Sequence, residues 1–168
     1  GGSKDDTIDV AATLTKNDVI DGGDGTDTLV IEETANRTFA DNQLTSIEVL
    51  QVGVKTNNIA DLDVKALADT TDISLMATTT DKDVTVNNLG AGQDVTITND
   101  SANTLEFGNI AVNLEDDTST TADAMTVNLV AKTDADQTLD LLTVDSGSEA
   151  LTLNVSGATG TANEYTVT

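Results

Sequence analysis

From Val84 onward, apolar and polar residues alternate with a period of two almost without interruption. Val84/Val86, Val95/Ile97, Leu105/Phe107, Ile110/Val112/Leu114, Met125/Val127/Leu129, Leu139/Leu141, Leu151/Leu153/Val155 and Tyr165/Val167 point one way. Thr85, Thr96, Glu106, Asn113, Thr126, Asn128, Thr152 and Asn154 point the other. Successive side chains of an extended chain face opposite sides, so the pattern predicts strands buried on one face. Asn87-Asn88-Leu89-Gly90-Ala91-Gly92-Gln93 predicts the turn joining two of these strands. Asn is a poor strand former. Its recurrence in Val112–Leu114, Val127–Leu129 and Leu153–Val155 points to stacked rows, with outward polar residues of no particular role as the competing reading.

Upstream the rhythm is longer. Leu29-Val30-Ile31, Ile47–Val52 and Ile73–Met76 read as strands, recurring at a spacing of roughly 20 to 25 residues that suits a solenoid. Between them, Phe39/Leu44 and Val64/Leu67/Ala68 are spaced closer to a helical period, which predicts single helical turns at 39–44 and 63–68. The expected fold is therefore all-β, a right-handed parallel β-solenoid (β-roll or β-helix), with a β-sandwich-like C-terminal part as the alternative continuation. Three regions are expected: loops at 1–31, solenoid turns at 29–77, and a Thr/Asn-rich strand region at 78–168 that continues the preceding part.

Composition supports a thin core. Of the 168 residues 38% are hydrophobic but only 2% aromatic, so Val, Leu, Ile and Ala must fill the interior in shallow layers. The chain carries 30 Asp+Glu against 7 Lys+Arg, a formal net charge of -23. Such a surface repels phosphates, so nucleic acid is not an expected partner, whereas divalent cations are attracted. Solubility in a salty environment is the plainer explanation of the same charge. No apolar run approaches the ~20 residues of a membrane span, so no membrane insertion is expected. Beginning and ending abruptly, at Gly1-Gly2-Ser3 and Tyr165-Thr166-Val167-Thr168, the chain is expected to be an excised piece of a larger protein.

One passage carries specific chemistry. Gly22-Gly23-Asp24-Gly25-Thr26-Asp27-Thr28-Leu29-Val30 fits G-G-x-G-x-D-x-U-x at every fixed position, U being a large apolar residue. That unit binds calcium between stacked turns of a parallel β-roll. Its glycines let the backbone bend through left-handed angles and turn carbonyls inward, while Asp27 supplies a hard anionic oxygen. Asp21 and Asp24 flank the glycines, and Asp9 and Asp18 are candidates to complete a shell of 6–8 oxygens. A degraded copy, Gly1 to Asp9, has Lys4 in place of the third glycine and Asp6 in place of the aspartate. Asp6 and Asp27 lie one turn plus a three-residue insertion apart, which would stack the two loops on one edge. The insertion is expected within Ala11–Asn17. An ordinary Gly-rich turn is the alternative.

Other acidic clusters, Asp81-Lys82-Asp83, Glu115-Asp116-Asp117 and Asp134-Ala135-Asp136, read as solvated turns. Without His or Cys there is no Ser-His-Asp triad, thiolate nucleophile or His-ligated zinc. The only Arg, Arg37, has no tie to the loop that would make it a proton abstractor beside a metal. A non-enzymatic role is expected.

Asp6-Thr7-Ile8, Asn17 to Leu29 and Leu44 to Val52 together resemble the RTX-type surface-layer proteins and large adhesins that Gram-negative bacteria secrete by the type I route. Val84 to Thr98, with its Leu-Gly-Ala-Gly-Gln turn, resembles their Thr-rich strands. The resemblance implies a secreted, extracellular cell-surface protein that folds with Ca2+, held by the loop carbonyls of Gly23 and Gly25 and by Asp27, and by Asp6 in the weaker copy. The chain departs from the family in having one intact repeat rather than an array. Two roles follow as expectations. One is a coat segment that self-associates through calcium-bridged contacts between copies. The other is an adhesin module that binds cell-surface polysaccharide or another surface.

Overall fold

The computed structural model describes residues 1–79, 81–99, 107–115, 124–130, 139–144 and 150–156. Seven strands, β1 (Thr7–Ala11), β3 (Thr28–Glu33), β6 (Val49–Val54), β8 (Asp72–Ala77), β10 (Asp94–Asn99), β12 (Ala124–Val130) and β14 (Ala150–Ser156), form one sheet in that order. A second sheet contains β4 (Arg37–Thr38), β7 (Ile59–Asp63), β9 (Lys82–Leu89), β11 (Phe107–Leu114) and β13 (Leu139–Val144), again in that order. β2 (Ile20–Asp21) and β5 (Leu44–Thr45) pair as a short third side. Every pairing is parallel, and the chain passes from side to side as it climbs, building a β-solenoid of about five turns. The described residues contain no helix.

The alternation seen in the sequence becomes two sets of apolar rows along the solenoid axis, except that Leu141, expected to point the same way as Leu139, is exposed and Leu142 stands in register with the buried Ile110 instead. On the first sheet, Leu29, Leu50, Ile73, Val95, Val127 and Leu153 share one register position, and Ile31, Val52, Leu75, Ile97, Leu129 and Val155 share the next inward one. Facing them are Ile59, Val84, Ile110 and Leu142, then Leu62, Val86, Val112 and Val144. Most of these side chains are fully buried. Each such burial contributes about 1.5–3 kcal/mol, so the rows dominate stability. Phe39 and Phe107 are also in the core.

Several expectations about the connections are corrected. The segments 39–44 and 63–68 form turns, not helical ones, each closed by a single bond, from Gln43 N–H to Ala40 O (3.0 Å) and from Leu67 N–H to Val64 O (3.0 Å). Asn42 has φ 57°, and a left-handed residue cannot propagate a right-handed helix. Leu44 is instead recruited to β5 and Asp63 to the end of β7. The turn expected over Asn87–Gln93 does join two strands, β9 and β10, but Asn87–Leu89 belong to the end of β9 and the turn itself is Gly90–Gln93. It carries the chain from the second sheet to the first, so β9 bonds β7 and β11 while β10 bonds β8 and β12. The sandwich-like continuation is likewise replaced by parallel ladders that run on through β14. Leu105, Glu106, Tyr165 and Val167 lie outside the described residues.

Polar side chains tie each turn to its neighbour. Gln43 and Gln93, both buried, do the same work two turns apart. Gln93 Oε1 accepts the Gly90 N–H (2.8 Å), and its Nε2 donates to Leu67 O (2.8 Å) and Thr70 O (3.0 Å) one turn back. Gln43 Oε1 accepts the Ala40 N–H (3.1 Å) and its Nε2 donates to Thr15 O (2.8 Å). The recurring Asn residues do form rows. Asn113 Nδ2 donates to Asn87 Oδ1 (2.8 Å), Asn87 Nδ2 to Asp61 Oδ1 (2.7 Å), and Asn154 Nδ2 to Asn128 Oδ1 (2.9 Å). Replacing Gln93 by Ala strands one buried N–H and two carbonyls. Gln93→Ala is expected to lower the unfolding free energy in urea by about 3 kcal/mol, and an unchanged midpoint would refute the stapling role.

Candidate metal centre

β1 and β3 pair in register, Thr7 with Thr28 and Ile8 with Leu29. That pairing lays the Gly1–Asp6 loop directly on the Gly22–Asp27 loop. A Cβ on Gly1 would stand 1.8 Å from Gly22 O, one on Gly23 2.5 Å from Gly2 O, and one on Gly25 2.7 Å from the Lys4 carbonyl carbon. Gly23 (φ 99°) and Gly25 (φ 132°) hold left-handed angles as well. Only glycine permits both the bend and the approach. The extra residue in the first turn sits at Val10, where the register slips between Asp9 and Ala11 and Ala11 takes φ 46°. This is a bulge just ahead of the Ala11–Asn17 stretch expected to hold the insertion.

The acidic side chains form a column at this corner. Asp27 Oδ1 accepts the N–H of Asp6 (2.8 Å) in the turn before, and Glu48 Oε2 accepts the N–H of Asp27 (2.7 Å). Asp6 Oδ2 accepts the Gly2 N–H (2.8 Å), and Asp5 Oδ1 accepts the Thr26 N–H (2.9 Å). Asp69 Oδ2 takes the Ser46 N–H (2.9 Å) one level further on. Carboxylates therefore bond main-chain donors that no strand pairing reaches.

Asp27 differs from the rest. It is fully buried, and its Oδ2 has no hydrogen-bond partner. A buried anionic oxygen without a donor or cation is costly. The same oxygen lies 2.5 Å from where a Gly22 Cβ would be, and Ser46 O lies 1.9 Å from that point. Gly22 thus permits the close approach of the second and third turns, with Ser46 O and the Asp27 carboxylate packed against its Cα. Among the described residues, no three acidic, His or Cys side chains converge to hold a metal. The donors fit a hard cation only as one carboxylate supplemented by main-chain carbonyls, a donor type that calcium accepts.

The other residues expected at the site are each engaged in local or loop-to-loop bonds. Asp9 Oδ1 closes its own turn on the Ala11 N–H (2.9 Å). Asp18 Oδ2 accepts from the Thr15 N–H (2.7 Å) and hydroxyl (2.9 Å), bonds that hold its carboxyl below the usual range. Asp21 Oδ1 accepts the Gly23 N–H (3.2 Å) and Asp21 O accepts the amino group of Gly1 (2.6 Å), while Asp24 is exposed and bonds Gly2 O through its N–H (3.1 Å). The pairing stacks Gly23 on Gly2 and Gly25 on Lys4 and joins Asp6 to Asp27 through one main-chain bond, whereas the Asp9 and Asp18 side chains bond within their own turns. Sequence reasoning passed over Glu48 and Asp5. The signal for Glu48 was its spacing from Asp27, 21 residues, the same as from Asp6 to Asp27. Arg37 is engaged elsewhere, with Glu33 (2.6 Å) and Leu14 O (3.1 Å), and burial still pushes the Glu33 carboxyl up.

No family model, curated protein or solved structure matches this chain.

Two outcomes follow from the geometry. Gly22→Ala drives a Cβ into Ser46 O and Asp27, whereas Gly92→Ala, at φ 83° with nothing within 4 Å, meets only backbone strain of about 1 kcal/mol. Gly22→Ala is expected to lose several times more stability in urea; equal losses would show that the loop does not need the close approach. Asp72 stands in register with Asp94, and burial, then the Asp94 charge, push its carboxyl up despite the Thr96 hydroxyl bond (2.8 Å). A raised acid favours the folded state below its ordinary value near 3.8, and that contribution is lost as pH rises through the folded value. Asp72→Asn should therefore stabilise the protein at neutral pH and lose that advantage in acid, as read from thermal unfolding at several pH values.

Proposed function

We propose that the chain is a non-enzymatic structural segment of a secreted bacterial surface-layer protein, folded and stiffened by calcium at the stacked loops and associating with copies of itself. The observation that carries this reading is the Asp27 carboxylate, buried in the intact glycine motif with one oxygen unpartnered. Calcium would supply the missing positive charge there, with Asp27 and main-chain carbonyls holding it. A strongly acidic surface keeps copies apart by repulsion and becomes cohesive when divalent cations neutralise part of its charge. The polysaccharide-binding alternative gains nothing from Phe39 and Phe107, which are buried and cannot stack on sugar rings, while Tyr165 lies outside the described residues.

Calcium in excess is expected to raise the melting temperature and a chelator to lower it, since an ion that binds only the folded form adds about 2.7 kcal/mol at a hundredfold excess over Kd. Asp27→Asn keeps an acceptor for the Asp6 N–H but removes the charge, so it should abolish the calcium response while folding is retained. A calcium response that survives Asp27→Asn would reject this site. Light scattering that stays at the monomer level with calcium at high protein concentration would reject the coat-forming role.

A further inference from the structure

An aspartate followed by glycine can rearrange its own main chain. The amide nitrogen of the second residue attacks the aspartate side-chain carbonyl, and glycine has no side chain to shield it. This chain has two such pairs, Asp21-Gly22 and Asp24-Gly25, both at the intact glycine loop, and no Asn-Gly pair. As dipeptides the two are identical, but the structure separates them. Gly22 is buried, its N–H donates to Thr45 O (3.0 Å), and Ser46 O and Asp27 pack against its Cα. Asp21 Oδ1 accepts the Gly23 N–H (3.2 Å). Nucleophile and carboxyl group of that pair are therefore both engaged. Asp24 and Gly25, in contrast, are exposed. Among the described residues, neither the Asp24 carboxylate nor the Gly25 N–H has a hydrogen bond or ion pair.

We propose that Asp24-Gly25 is a site of spontaneous isoaspartate formation, and that the fold protects Asp21-Gly22 from the same reaction. The Gly25 nitrogen bonds to Cγ of the protonated Asp24 side chain. The carboxyl hydroxyl leaves with the amide proton as water, which closes a succinimide ring. Water then adds to one of the two ring carbonyls. Cleavage of the new Cγ–N bond restores aspartate. Cleavage of the original peptide C–N bond instead leaves Gly25 attached through Cγ, and the former main-chain carbonyl becomes a free carboxylate. One water is lost and one regained, with no oxidant or cation involved, so the site is independent of the calcium reading. The isoaspartyl linkage adds one methylene to the main chain where two loops touch. Asp24 N–H donates to Gly2 O (3.1 Å), Gly25 lies against the Lys4 main chain, and Thr26 N–H donates to Asp5 Oδ1 (2.9 Å). The added atom disturbs the spacing of these contacts, so conversion loosens the first loop from the second while the strands behind it stay paired.

The test compares the full chain at neutral pH, its folded state confirmed by circular dichroism, with the same chain unfolded in urea. Incubation continues until the unfolded sample has converted measurably at both pairs. Peptide mapping with electron-transfer fragmentation then locates the isoaspartyl linkages, and methylation by a protein isoaspartyl methyltransferase measures their total. In urea the two pairs should convert alike. In the folded chain, conversion at Asp24 should exceed that at Asp21 several-fold. Asp24→Glu, whose longer side chain closes the corresponding ring far more slowly, should remove the signal at that position while the circular dichroism is unchanged. Hydrogen exchange at the Thr26 amide should be faster in the converted chain, with the amides of Leu29 and Ile31 still protected. Conversion at Asp21 equal to or above that at Asp24 in the folded chain overturns the proposal. So does a folded chain without isoaspartate at Asp24 when the urea sample has formed it. Thr26 exchange that is the same before and after conversion overturns the loosening of the loop.

Discussion

The fold depends on apolar side chains stacking in register along the solenoid axis. A single turn of this chain could not bury its inward residues, because it is one strand thick on each side. Leu29 is sealed by Ile8 before it, Leu50 beyond it and the residues across the core, and Leu50 in turn by Ile73. Stability is thus built turn by turn. Among the described residues, Leu151, Leu153 and Val155 of β14 are exposed where their partners in β12 are buried.

Stacking of apolar rows tolerates sliding and says little about the corners, where the chain must turn and its main-chain donors lose strand partners. The corner side chains supply what the strands cannot. Gln43 and Gln93 close a turn and reach back to the previous one, Thr70 Oγ1 donates to Ile47 O (2.8 Å), and Asp27 and Glu48 accept main-chain N–H groups across a turn. A slip of two residues, which would keep every apolar side chain inward, would break these bonds together, so the polar corners fix the register among those the apolar rows allow. The glycine loops belong to this system. Their motif aspartate already joins two turns, and its second oxygen remains as the basis for a cation reading.

Much of the architecture was legible because the physical signal was local. Period-two alternation located β9, β11, β12 and β14, and the roughly constant upstream spacing pointed to a solenoid. The apolar spacing at 39–44 and 63–68 misled because a tight corner that drops two or three side chains into the core looks like a fragment of helix. The Asn42 backbone angle and the pairing of Leu44 with Ile20 decided otherwise. At the candidate site, the glycine motif identified Asp27 and the spacing brought Asp6 above it. Asp9 and Asp18 had been grouped with them by nearness in sequence, yet each is bonded within its own turn.

The sequence by itself determined that this is a β protein with a thin aliphatic core, a strongly acidic surface and one intact Gly/Asp loop. Those properties follow from composition and from which face of a strand each residue occupies. Only the tertiary structure decided which strands pair, that Asn87–Gln93 changes sheets, that Glu48 joins the acidic column, and that one oxygen of Asp27 is buried without a partner. These depend on contacts between residues 21 or more positions apart. Such contacts are set by how successive turns lie on one another, which no local pattern encodes.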